Sequence, residues 1–140
     1  MGYRSQWQLL VTGTDENLSK FKKSVSVKTS EAALHQEGFF TPRQVWEGIF
    51  GGADSPRGEE IIMTSRSSTG DKCLVYEGTD TKCYPPWEDV INQVFELGEQ
   101  LELEVAYGRV GEEMGDVELR QSSNRLYVNV STTINEPDFW

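Results

Sequence analysis

Carboxylates are the side chains whose number and spacing in this chain suggest chemistry. Between Glu88 and Glu118 stand Glu88, Asp89, Glu96, Glu99, Glu102, Glu104, Glu112, Glu113, Asp116 and Glu118, against one cation, Arg109. The net charge of −10 comes wholly from the second half. Residues 1–70 hold eight Lys/Arg and eight Asp/Glu, whereas residues 71–140 hold five and fifteen. A surface of that sign repels phosphate and attracts basic protein. Glu88 and Asp89 have a local reason to exist at a helix N-terminus, where the macrodipole favours them. Glu96, Glu99, Glu102 and Glu104 have no such reason, and crowded like charges oppose folding, so their accumulation points to use, with solubility as the plainer alternative. Carboxylates spaced along a helix and a strand can imitate the phosphates of a nucleic acid and occupy a basic protein groove. Glu96, Glu99, Glu102, Glu104, Glu112, Glu113, Asp116 and Glu118 are therefore the expected partner-binding set.

Other chemistries find less support. The single histidine, His35, has no Ser or Cys motif beside it, and Gly48, Gly51, Gly52 and Gly58 lack the Gly-Lys-Ser/Thr context of a phosphate loop. The expectation is a protein that is not an enzyme. Glu112, Glu113 and Asp116 offer hard oxygen ligands of the kind Mg²⁺ or Ca²⁺ takes, but EF-hand spacing is absent and a solvated acidic turn is the plainer reading. No cofactor or metal is expected. Cys73 and Cys83, ten residues apart, fit neither a zinc motif nor a secreted disulfide framework and read as free thiols. Lys20, Lys22, Lys23 and Lys28 form the one basic patch. It supports an alternative reading as a direct nucleic-acid-binding module, although such patches are commonly the wet face of an amphipathic helix.

The elements that must position these residues follow from hydrophobic periodicity. Trp7, Leu9 and Val11 alternate with Gln8, Leu10 and Thr12, imperfectly because of Leu10, and predict a first strand closed by Gly13. Thr14 or Asp15 caps a helix with Leu18, Phe21 and Val25 on one stripe, and Ser30 is placed to cap a short helix through Leu34. Thr41-Pro42 opens a helix carrying Val45, Trp46, Ile49 and Phe50, stopped by Gly51-Gly52, with Ala53 to Glu59 as exposed loop. Glu60 to Arg66 and Lys72 to Glu77, joined by a turn-rich segment, predict a hairpin. Trp87 to about Gln100 is the clearest helix, weakened by Gly98. Strands are expected over Leu101–Tyr107, over Val117–Arg120, and over Leu126, Val128 and Val130. This order predicts an α+β fold, a ferredoxin-like antiparallel sheet with helices packed on one face.

One stretch also resembles the YubB-like ferredoxin-domain family of plasmids and phages. The resemblance rests on Tyr84-Pro85-Pro86-Trp87-Glu88-Asp89-Val90-Ile91, on Leu101-Glu102-Leu103-Glu104, on Gly111-Glu112-Glu113-Met114-Gly115, and on Leu10-Val11-Thr12-Gly13 with Leu18 and Phe21. No counterpart of the family's Trp-Gly-Thr-Lys-Trp segment is present. The resemblance implies a ferredoxin-like fold and a mobile-element origin, and transfers no catalytic residue.

Residues 1–134 are thus expected to form one domain, with 135–140 as a tail whose Phe139-Trp140 docks back on the domain or joins a second copy. The N-terminus has no apolar run of signal-peptide length, which predicts a cytoplasmic protein without a membrane span. The expected function is that of an acidic inhibitor of a host nucleic-acid-handling or defence complex. An anti-CRISPR-like nucleic-acid mimic is one instance, and its partner is a basic protein surface.

Overall fold

The computed structural model describes residues 4–32, 42–52, 55–62, 72–83 and 86–122. His35, the turn at 67–71, Leu126, Val128 and Val130, and the 135–140 tail lie outside the described residues.

Strand β1 (Ser5–Gly13) occupies the middle of a five-stranded sheet, where β5 (Lys72–Thr81) and β6 (Glu104–Gly111) flank it. Outside these lie β4 (Glu59–Ile62) and β7 (Val117–Gln121), giving the order β4-β5-β1-β6-β7 with every pairing antiparallel. Helix α1 (Asp15–Ala32) and helix α2 (Pro42–Phe50) carry the chain from β1 toward β4, and α3 (Trp87–Gln100) carries it from β5 to β6. Two-residue strands β2 (Gly51–Gly52) and β3 (Ser55–Pro56) pair with each other, so the segment expected to be plain loop contains a small ladder.

All three helices bury their apolar stripes on one face of the sheet. Leu18, Phe21 and Val25 of α1, Trp46, Ile49 and Phe50 of α2, and Trp87, Val90 and Val94 of α3 share a core with Trp7, Leu9 and Val11 of β1. Strand periodicity puts Leu10 on the opposite face, where it packs with Cys73 and Ala106. The residue that spoiled the alternation in the sequence thus belongs to a second, smaller cluster.

Helix α1 runs without a break where two helices were expected. Thr14 is its cap, its Oγ1 accepting from Asn17 N–H at 3.2 Å. Thr29 and Ala32 extend the buried stripe, and Thr29 Oγ1 donates back to Val25 C=O at 2.8 Å, which satisfies a hydroxyl inside the core. Ser30 is therefore an exposed residue within α1 and not a cap. At the other boundary, the strand expected from Leu101 begins only at Glu104. Leu101 and Glu102 form a turn with Glu102 at φ 55°, and Leu103 N–H bonds to Gly98 C=O at 2.8 Å. The alternation of leucines here reflects a chain reversal whose apolar residues still turn inward.

Gly98 has a packing reason for standing in a helix. A Cβ placed on it would lie 2.5 Å from Val105 Cγ2, so the absent side chain lets α3 approach β6.

Candidate functional site

The eight predicted acids occupy three environments. Glu96 and Glu99 are exposed on the second half of α3, and Glu102 is exposed on the turn that follows. None of the three forms a salt bridge among the described residues. The last turn of α3 carries no basic residue, so these carboxylates stand at the negative end of a helix dipole that disfavours them. Glu104, half-buried, opens β6 opposite Thr12 and so belongs to the sheet face away from the helices.

The other four acids lie around the β6–β7 connection, where the fold sets the Arg109 side chain against two of them. Arg109, whose side chain is only 12 % exposed, donates to Asp116 Oδ1 at 2.9 Å and Oδ2 at 3.3 Å. It also donates to Glu118 Oε1 at 3.2 Å and to Ser5 Oγ at 3.0 Å. Burial pulls the Arg109 pKa down, but the hydrogen bonds and charges of Asp116 and Glu118 outweigh it and raise the pKa above the ordinary arginine value. Glu112 Oε1 accepts from Arg4 N–H at 3.0 Å. Glu113 is exposed on the same turn. Glu112, Glu113 and Asp116 do not converge as ligands would: among the described residues no group of three His, Cys, Asp or Glu is placed to hold a metal ion.

Sequence reasoning missed the cleft beside this network. Helix α3 covers β1 and β6 but not the helix-side positions of β7, which are Glu118 and Arg120 by their pairing with Arg109 and Tyr107. Two charged residues instead of apolar ones on the added strand leave an open space of about 580 Å³ between α3 and β7. Trp87, Ile91 and Tyr107 give it an apolar floor, all three buried. Trp87 Nε1 donates to Tyr107 OH at 2.9 Å, and Trp87 packs edge-on against Trp7 with ring centroids 5.3 Å apart. Burial raises the Tyr107 pKa, and burial pushes the Cys83 thiol up to about 12, so both are neutral at physiological pH. Arg120 donates to Asn92 Oδ1 and lies 4.1 Å over the Phe95 ring. The sequence carries a signal for Arg109 but not for the cleft: Val105, Tyr107 and Arg109 alternate, which places Arg109 on the inward face of β6.

The lysine patch is partly neutralised. Lys20 pairs with Glu16 at 3.5 Å, and Lys22 pairs with Glu60 at 3.2 Å. Hydrogen bonds from Lys72 and Lys22 hold the Glu60 carboxyl below the ordinary carboxylate range. Cys73 and Cys83 are both free thiols, and no described helix is long and apolar enough to cross a membrane. In comparisons with known proteins, no family model, no curated protein and no solved structure matches this chain.

Proposed function

We propose that the protein is a non-enzymatic acidic binding protein that seats the C-terminal end of α3 in the basic groove of a nucleic-acid-handling protein or complex. The observation that carries the proposal is the placement of Glu96, Glu99 and Glu102. They are exposed, they have no salt bridge among the described residues, and they stand where the helix dipole opposes them. Residues that oppose the local helix dipole and serve no contact within the described fold are where a functional surface is expected. Carboxylates at such a surface steer a cationic groove toward them and compete with phosphate for it.

The remaining acids contribute unequally to this reading. Asp116 and Glu118 are engaged by Arg109 and serve the fold first, whereas Glu113 and the exposed side of Glu112 extend the negative surface. We read β4-β5-β1-β6 as a ferredoxin-like unit with β7 added at its edge. A plasmid or phage origin, implied by the YubB-like resemblance, makes a defence complex one such partner, and inhibition of the anti-CRISPR kind one such outcome.

The test compares the native protein with Glu96→Lys/Glu99→Lys/Glu102→Lys in capture of nucleic-acid-binding proteins from a nuclease-treated lysate. Capture is expected at physiological salt, is lost in the triple reversal, and weakens as the screening length shrinks to about 3 Å at 1 M salt. Capture that survives the reversal overturns the proposal. Binding of labelled DNA or RNA by the native protein at physiological salt would instead favour the basic face of α1.

A further inference from the structure

We propose that the cleft between α3 and β7 is a binding site for a small zwitterion with an apolar or aromatic body, of the chemical class of a large apolar amino acid. The site is distinct from the acidic end of α3, since Glu88 at its rim lies about 12 Å along the helix axis from Glu96, at 1.5 Å per residue.

The cleft offers a ligand both room and an apolar floor. Its volume of about 580 Å³ falls within the range of small-molecule sites. Its floor is Trp87, Ile91 and Tyr107, each buried, so an apolar body placed there leaves water for a surface already formed. Tyr107 OH accepts from Trp87 Nε1, which leaves its own hydrogen to donate.

The rim supplies the charge. Arg120 donates one N–H to Asn92 and rests on Phe95, yet pairs with no carboxylate among the described residues. Glu88 is exposed and forms no salt bridge among the described residues. The other cation of the cleft, Arg109, already holds Asp116 and Glu118, so that group is internally satisfied. One guanidinium and one carboxylate, neither in a salt bridge among the described residues, therefore line the same cleft. Glu88 and Asn92 are one helical turn apart on α3, about 6 Å along its axis, and Arg120 is hydrogen-bonded to Asn92, so the carboxylate and the guanidinium stand on the same rim, where two flexible side chains can close around the ammonium and carboxylate of one molecule. An anion alone would leave Glu88 beside it, and a cation alone would meet Arg120. The zwitterion satisfies both.

The experiment uses L-phenylalanine as probe, with N-acetyl-L-phenylalanine and L-phenylalaninamide as the forms lacking the ammonium and the carboxylate, followed by ligand-detected NMR. The zwitterion is expected to bind about tenfold tighter than either blocked form, in line with one charge-assisted hydrogen bond lost in each. Arg120→Gln should weaken the zwitterion and the N-acetyl form by about tenfold and leave the amide unchanged, and Glu88→Gln should do the converse. Both positions are exposed, so both variants fold. No saturable binding of any form, equal binding of all three, or loss of binding by both variants without this crossed pattern overturns the proposal.

Discussion

Two acidic regions of this protein carry similar formal charge and opposite physical meaning. Around the β6–β7 connection, Asp116 and Glu118 close on the half-buried Arg109, and Glu112 takes the backbone N–H of Arg4. At the end of α3, Glu96, Glu99 and Glu102 meet solvent and the negative pole of a helix. The first group helps hold β1, β6 and β7 together through Arg109 and Ser5. The second has no corresponding role among the described residues. Charge density by itself therefore does not separate acids that serve the fold from acids that do not, whereas the distribution of counter-charges does.

The largest expected effect comes from removing the counter-charge. Arg109→Leu leaves Asp116 and Glu118 facing each other and should cost about 2–3 kcal/mol in urea unfolding. A loss below about 0.5 kcal/mol would place the network with ordinary surface ion pairs and erase the contrast. Next comes Gly98→Ala. Helix propensity alone predicts stabilisation by up to about 1 kcal/mol. The contact with Val105 Cγ2 reverses the sign, and a loss of about 1–2 kcal/mol is expected because α3 must move off β6.

A smaller effect, of opposite sign to that at Arg109, is expected at the end of α3. Glu96→Gln/Glu99→Gln/Glu102→Gln should stabilise the fold by about 0.5–1 kcal/mol at low ionic strength, with the gain shrinking as salt rises. Destabilisation would show that these carboxylates serve the fold after all.

A separate change, confined to alkaline pH, is expected in stability. Burial raises the folded-state pKa of Cys83 from 9.0 to about 12 and that of Tyr76 from 10.0 to about 12. In this window the folded state holds protons that the unfolded chain has released, so stability is intact below about pH 9 and falls as pH rises toward 12. Chemical denaturation across this range checks the sign, and Cys83→Ser should shift the onset to higher pH.

Much of the framework was legible in the chain. The stripe Val45, Trp46, Ile49 and Phe50 behind Pro42 gave α2 its bounds, and Trp87 to Gln100 gave α3 its bounds, because a dense apolar stripe at helical spacing has one way to be buried. The acidic surface was legible too, but its division was not. Asp116 and Glu118 looked equivalent to Glu99 and Glu102 until Arg109 was placed among them. Glu102 read as a strand residue because Leu101 and Leu103 alternate around it, and a positive φ leaves no mark in that pattern. The cleft was invisible for a similar reason, since it exists where α3 stops short of β7.

The amino-acid sequence by itself determined the main helices and the central strands of this protein and the sign of its surface, because periodicity, capping and net charge are local or additive properties. The tertiary structure decided which carboxylates are neutralised and where a cavity remains. Both depend on distances between residues far apart in the chain: Arg109 reaches Ser5 across 104 positions, and Arg120 reaches Asn92 across 28. Coulomb energy and packing are set by those distances, and only the folded sheet fixes them.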